Sequence, residues 1–591
     1  MYVLYSTKWD KTRIIGQERL LADAWLETVS DDAHPASWPP LFSVVQLFRN
    51  LISIIEGISS QTLAVYHLKD ACDELLARLD SGTWLDECFQ DDIPFMREKL
   101  RWARDQTKDK KEDIQARDEM LSYLRAFVAK LESVRPWQQQ VKSLSVKVAD
   151  FACDPADIVR AVGELTNDLM HEGHSRPHLH IWMLKTVVGS ATQDSYLEVF
   201  GASSFLYEQP KDFEVLFQVA SPPKVSSSDD VRLNPHLPPD WAFDPTSPMK
   251  KDARSRFALV KVKAVRDRYS AMAYARVRLS RHLWSIKFHL VEFDRTFSNH
   301  SAVREIGHSY ITEVPKLREL NLHGLWNNDR LDLIDLRTAN NQTFQALDRI
   351  LYWIEQIRRV EPVAALISEW TATEFLFSDQ GIKPHETVEK FVVAYLCPNY
   401  PRYVLLDFWE SIWQVRLVPL DNLKTRLDYR PGENSFTKPK CSLAKLLAVS
   451  LEDPATNPIA ELIREYPILK AKWHRVRRLA PGSTTLAEDV KNFGDRLKFD
   501  LRTCYRARNT VVHDAATTVS ESLRMLQRLN WMLCSCVDQV IFTYSLNPTL
   551  SMTDLHRCAD ANWQKWLQSI QDQTKLCPLA NIVDPPSYFT I

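Results

Sequence analysis

Apolar residues recur at helical intervals along most of the chain. Leu41, Val44, Val45, Phe48, Ile52 and Ile55 form one such stripe, and Leu68, Cys72, Leu75 and Leu79 a second, stopped by Asp80-Ser-Gly82. Asp154-Pro-Ala-Asp157 has the cap-and-proline form of a helix start, ahead of Val159, Val162, Leu165 and Leu169. Glu172-Gly-His-Ser175 punctuates it. Ser175-Arg-Pro177 then opens a helix carrying Leu179, Trp182, Met183, Leu184 and Val187. Two segments alternate instead. Phe213–Val219 and Phe257–Val265 read as strands, able to pair across the proline-rich stretch Ser221–Arg256, which reads as a long exposed loop.

From about residue 270 the helical period returns. Phe344, Leu347, Leu351, Ile354 and Ile357 form one stripe, and Ala365–Phe377 a second helix. Phe391–Trp413 reads as two short helices broken at Pro398 and Pro401, and Pro431–Lys440 as a loop. Ile459–Leu479, interrupted at Pro467, Leu486–Val512 and Val519–Tyr544 complete the pattern. The fold class expected is mainly α. The divisions expected are an N-terminal helical region (1–150), a helical region with a small two-stranded β-insert and the loop 221–256 (151–335), a helical bundle (336–546) and a C-terminal tail (547–591).

Composition supports helices and argues against nucleotide loops. Only 13 of 591 residues are glycine, about a third of the usual share of roughly 7%, and neither GxxxxGK[ST] nor GxGxxG occurs. The net charge of −2 argues against a nucleic-acid coat protein, though not against an enzyme that grips one phosphate locally. The ten cysteines form no CxxC and read as reduced thiols. The N-terminal MYVLYSTKWDKTR has no apolar signal core and no run is long enough to span a bilayer, so a cytoplasmic protein without membrane contact is expected.

The strongest chemical signal is Arg508-Asn509-Thr-Val-Val-His513-Asp514. The preceding helix carries Leu486, Val490, Phe493, Leu497, Leu501 and Cys504 on one stripe, and the next position on it is Arg508. A guanidinium thus stands where the pattern asks for an apolar side chain. Asn509 and His513 share a face, with Arg508 about 140° round the helix from His513. Arginine grips a phosphodiester in a planar fork, and histidine moves a proton to or from a 2′-OH or leaving oxygen. If the RNA's own 2′-OH is the nucleophile, the chemistry needs no metal or other cofactor and leaves a 2′,3′-cyclic phosphate. The spacing by itself equally suits an Arg–Asp surface pair with a capping histidine.

Arg508-Asn509-Thr510-Val511-Val512-His513 resembles the Rx4–6H signature of HEPN domains in its RNxxxH form, at the end of a long helix followed by another. Trp370-Thr-Ala-Thr-Glu374-Phe-Leu376 is similar to the W-x-x-x-E-x-L/F setting of HEPN domains in ApeA-type bacterial anti-phage defence proteins. The resemblance covers about 340–546. It implies a HEPN bundle acting as a metal-independent endoribonuclease on tRNA or other RNA. Arg508, His513 and Asn509 would be catalytic, with Glu374 and Asp514 in support. It also implies a homodimer, a role in abortive infection, and an N-terminal sensor that answers a phage-derived activator; a non-catalytic HEPN scaffold is the alternative.

Two further clusters invite function. Lys470–Arg478 is basic with an interleaved tryptophan, so Lys472, Trp473, Arg475, Arg477 and Arg478 are candidates to lead RNA to the site. Arg276–His282 is a second basic patch, and a solvated helix face is the plain reading of both. His171, His174, His178 and His180 crowd ten residues, but a glycine and a proline interrupt them, His171 and His174 are one residue short of the HExxH spacing, His178 and His180 lie two apart, and no cysteine is near enough for a familiar zinc pattern. They read as turn and helix-start histidines.

Overall fold

The protein is described from a computed structural model that covers residues 16–30, 38–61, 63–105, 111–134, 136–150, 153–189, 209–219, 230–234, 256–284, 297–315, 340–357, 362–377, 384–415, 421–432, 439–481, 484–514 and 519–572, with single positions in 237–249 and 417–419. The N-terminal half supplies α1 (Gly16–Thr28), α2 (Val44–Ser59), α3 (Tyr66–Asp80), α4 (Trp84–Cys88), α5 (Asp92–Asp105), α6 (Lys111–Ser133), α7 (Pro136–Ala149), α8 (Pro155–His171) and α9 (Arg176–Gly189). Strands β1 (Lys211–Val219), β2 (Val231–Asn234) and β3 (Arg256–Val265) precede α10 (Arg268–Trp284), and β4 (Phe297–Glu305) and β5 (Ile311–Pro315) follow it. The C-terminal bundle holds α11 (Asn341–Ile357), α12 (Pro362–Leu376), α13 (Pro384–Leu396), α14 (Tyr400–Gln414), α15 (Asp421–Arg426), α16 (Leu443–Ser450), α17 (Pro458–Leu462), α18 (Pro467–Arg477), α19 (Thr484–Asp514), α20 (Val519–Leu546) and α21 (Met552–Gln571).

The mainly α class holds, and helix starts follow their caps. Asp154 accepts from the Ala156 amide at 2.9 Å with Pro155 beside it, as its sequence predicts. Ser43 and Gln46 form a reciprocal capping box at the head of α2. Pro401 lies in the first turn of α14, starting that helix rather than breaking it.

The β-unit is larger than two strands. β1 and β3 pair antiparallel as expected, with Val215 opposite Val260, but they are the centre of a five-stranded antiparallel sheet in the order β2-β3-β1-β4-β5. β2 is four residues long, and β4 reads Phe297-Ser-Asn-His-Ser-Ala-Val-Arg-Glu, so neither carries the apolar alternation that marks a strand. Phe213, Val215 and Phe217 pack on Ala271, Met272 and Leu279 of α10. Leu216, on the opposite face, meets Trp241, Phe243 and Met249. The proline-rich stretch 221–256 is therefore not simply an exposed loop: it contributes β2 and three buried side chains to the second face.

The apolar cores cut across the divisions expected at 150 and 335. Helices α2 to α6 enclose a core of their own, built on Phe48, Leu51, Leu75, Leu79, Leu100 and Leu124. By contrast, α1 and α7 to α9 share one continuous core with the C-terminal bundle. Trp25 of α1 donates to the Leu179 carbonyl at 3.2 Å and packs on Trp182. Residues 547–591 are not merely a tail. α21 starts at a Ser551–Asp554 capping box and buries Leu555, Ala559, Trp563, Trp566 and Ile570. His556 lies 3.0 Å from the Tyr395 hydroxyl and 2.8 Å from the Leu376 carbonyl, fixing α21 to α12 and α13.

The described cysteines are all free thiols, and no described helix is long and apolar enough to cross a membrane.

Candidate functional site at the end of the long helix

Helix α19 runs 31 residues, and its stripe Leu486, Val490, Phe493, Leu497, Leu501 and Cys504 is buried as the period requires. Arg508 continues that stripe and is half-buried. Its Nη1 donates to Asn509 Oδ1 at 2.9 Å, and its Nε has no hydrogen-bond partner among the described residues. One edge of the guanidinium is thus held by the neighbouring amide, while the Nε donor is buried with no partner among the described residues. His513 and Asp514 stand on the final turn of α19; their side chains lie outside the described residues.

Two further cations share the histidine's side of the helix. Arg502, Arg506, Asn509 and His513 recur at steps of four, three and four, which places them within about 60° on an ideal helix. Arg502 makes a two-pronged pair with Glu389 of α13 (2.9 and 2.8 Å) and meets Asp70 of α3 at 3.1 Å. Arg506 is buried and donates to Glu74 of α3 at 3.2 Å and to Thr503 at 3.0 Å. Burial pushes the Glu74 carboxyl up to about 7 against the opposing pull of Arg506. Next to this pair, burial holds His67 down at about 3, with Arg506 and His385 adding to the shift. A ring column ties the same elements together. Tyr66 stacks on His385 at 4.9 Å, His385 on Tyr505 at 5.3 Å, and Tyr505 meets Trp370 at 5.2 Å. The spacing of Arg502 and Arg506 from His513 was readable in the sequence; their acidic partners, Glu389 at 113 residues and Asp70 and Glu74 at 432, were not.

Glu374 does not join this group. Helices α19 and α20 are antiparallel, with Arg528 on Asp500 (2.7 Å) and Cys504 near the Met525 carbonyl. Helix α12 runs alongside α20, with Asn530 donating to Glu369 at 2.7 Å and Ala365 against Leu526. No described hydrogen bond or ion pair joins Glu374 to Arg508 or Asn509; the α12 side chain that meets α19 near them is Trp370, on Tyr505. The acid that α12 turns inward is Glu369. It is fully buried, and burial raises its pKa well above the usual carboxylate range, so it sits in the bundle as a neutral acid. Trp370 is a packing residue of the same core.

The basic stretch on α18 is used inside the fold and is not an open track. Lys472 is buried, donating to Asp407 and Ser411 at 2.8 Å each and to Glu27. Burial pushes its ammonium down, but Asp407 and Glu27 outweigh that and raise its pKa. Trp473 is buried beneath Arg477, whose guanidinium also donates to the Ser450 and Glu452 carbonyls at 2.7 Å each. Arg475 lies over the Tyr400 ring, and Arg478 forms a two-pronged pair with Asp489 (2.8 and 2.7 Å). The local pattern predicted a helix with basic positions but could not reveal that Glu27 and Asp407 fold over them. On α10, Arg278 likewise spends its donors on the Lys261 carbonyl and Asp230.

In the histidine cluster, His174 and His178 stack at 5.7 Å. Burial, then the His178 charge, hold His174 down at about 4, so it is a neutral packed ring. No group of three or more His, Cys, Asp or Glu side chains suited to a metal ion occurs among the described residues.

No protein-family model, no curated protein sequence and no solved structure matches this chain.

Proposed function

We propose that this protein is a metal-independent endoribonuclease of HEPN type, with its site on the last turns of α19. The observation that carries the reading is Arg508: a half-buried arginine on an apolar stripe, one edge bound by Asn509, with a buried Nε that has no partner among the described residues, five residues before His513. In this reading Arg508 stabilises the charge that develops on the phosphodiester. His513 takes the proton of the attacking 2′-OH or returns one to the leaving 5′-oxygen. Asn509 orients the guanidinium. The 2′-oxygen bonds to phosphorus as the P–O5′ bond breaks, leaving a 2′,3′-cyclic phosphate and a 5′-hydroxyl. Glu374, one turn beyond Trp370 on α12, makes no described contact with these residues and is given no role in this reading. The proposed working form is a homodimer with RNA, tRNA included, as substrate. The proposed setting is bacterial anti-phage defence by abortive infection, in which the N-terminal half restrains the nuclease until a phage-derived cue arrives.

Expression in a bacterial host tests it. Wild-type chain should arrest growth, and Arg508→Ala and His513→Ala should each relieve the arrest at equal protein levels. Mutants as toxic as wild type, or a wild type that degrades no RNA with or without phage challenge, would favour a non-catalytic scaffold.

A further inference from the structure

Five arginines of the α19–α20 hairpin end on groups contributed by residues 38–74. Arg502 meets Asp70 and Arg506 meets Glu74. Arg496 donates to the Trp38 carbonyl (3.3 Å), Arg524 to the Leu41 carbonyl (2.6 Å) and Arg528 to the Pro39 carbonyl. The Arg528 guanidinium also lies 4.8 Å over the Trp38 ring. The segment Trp38-Pro-Pro-Leu41 is thus a strap across the hairpin, and α3 a lid on the face that carries Asn509 and the His513 position. The strap leads into α2 to α6, whose apolar core is separate from that of the bundle. Much of what ties that unit down is polar: Ser43 to Asp168, Gln46 to the Asn167 carbonyl (3.0 Å), and Arg78 to Glu164.

We propose that the arginine face of α19 and α20 is a binding surface for the phosphate backbone of single-stranded RNA, masked here by the strap and by α3. This rests on the ribonuclease reading for its choice of ligand. The chemistry is that of the mask itself. Asp70 and Glu74 present two carboxylates one helical turn, about 6 Å, apart, as a strand presents successive phosphates. Arg502 and Arg506 answer them at the same interval. Guanidinium forks bind phosphate as readily as carboxylate. The buried Arg506–Glu74 pair contributes little net stability once desolvation is counted, so a polyanion competes for Arg506, and for the Nη1 edge of Arg502 that Glu389 leaves open, when the α2–α6 unit lifts. The same movement uncovers the side of α19 on which His513 stands, coupling RNA capture to access.

The test is RNA binding in the full chain with cleavage disabled by His513→Ala, read by anisotropy of a fluorescein-labelled polyuridylate. The isosteric double change Asp70→Asn with Glu74→Gln should bind about tenfold tighter than its parent, a shift of about 1.4 kcal/mol. Adding Arg502→Ala and Arg506→Ala should abolish the gain and flatten the salt dependence by roughly 1.4 in log–log slope. No gain in a double variant that melts like its parent overturns the proposal. Should that variant melt early, Asp70→Asn alone serves, because Arg502 keeps Glu389; it should bind several-fold tighter, and no gain is again fatal. Poly-glutamate of matched charge competing as well as RNA would overturn the RNA assignment. Tighter binding without cleavage by a His513-intact chain sinks the ribonuclease reading and leaves the masked surface standing. Cleavage without any gain in binding does the reverse.

Discussion

Replacing Lys472 by methionine separates an internal clamp from an RNA contact. Lys472 is 8% exposed, and its ammonium holds Asp407 and Ser411 at 2.8 Å each, with Glu27 also bound. Methionine keeps the length of the side chain but leaves two carboxylates buried without their cation. Breaking a buried pair from one side costs about 3–5 kcal/mol, and two stranded acids put Lys472→Met in the upper half of that range. The loss should depend on pH. Burial already raises the Glu27 carboxyl, and removing Lys472, which pulls it down, raises it further. A carboxyl whose folded pKa exceeds its unfolded value adds stability below the unfolded value and loses it as pH rises through the folded one. Lys472→Met should therefore melt close to wild type near pH 4 and many degrees lower at pH 7, by near-ultraviolet circular dichroism or calorimetry. The triple variant with Glu27→Gln and Asp407→Asn should regain most of the loss. A Lys472→Met chain with wild-type melting at pH 7 and weakened RNA binding would refute the clamp and restore the basic track on α18.

Other outcomes follow from the same contacts. Asp23 is fully buried with neither carboxyl oxygen hydrogen-bonded among the described residues, and burial, opposed by Arg19, raises its pKa to about 7. Its contribution to stability is present below about pH 4 and lost as pH rises through 7, so Asp23→Asn should stabilise the chain above pH 7 and change little at pH 4, by denaturant titration. Glu369→Gln keeps the acceptor for Asn530 and replaces an acid that is neutral in the fold; melting at pH 7 should be unchanged or slightly raised, whereas Glu369→Lys should prevent folding. Ser551→Ala removes the cap of α21 and should cost about 1 kcal/mol, read as a lower denaturant midpoint. A loss of less than a few tenths there would mean that α21 is held by its apolar face alone.

Periodicity was a good guide wherever one buried face controlled the element. The stripe from Leu486 to Cys504 is the buried face of α19, and the alternation at Phe213–Val219 is a central strand with α10 on one side. It failed where burial was marginal or partners were distant. β2 and β4 carry too few apolar positions to signal themselves. Leu555, Ala559, Trp563, Trp566 and Ile570 did have the helical spacing of a packed helix, and a Ser551–Asp554 cap stood before them. For the site, Arg508 was legible as the odd residue on its stripe, and Arg502 and Arg506 were legible as neighbours of His513 on one side. What a local pattern cannot carry is which charges meet across the fold. Lys472 looked solvated because Glu27 lies 445 residues away.

The most direct measurement is end-group analysis of RNA incubated with purified full-length chain, wild type and the α3 variant Asp70→Asn/Glu74→Gln, in the presence of a chelator. The account predicts cleavage that survives chelation, products ending in 2′,3′-cyclic phosphate and 5′-hydroxyl, faster turnover by the α3 variant, and none by Arg508→Ala or His513→Ala. Cleavage that the chelator abolishes, 3′-hydroxyl products, or equal activity in Arg508→Ala would contradict it.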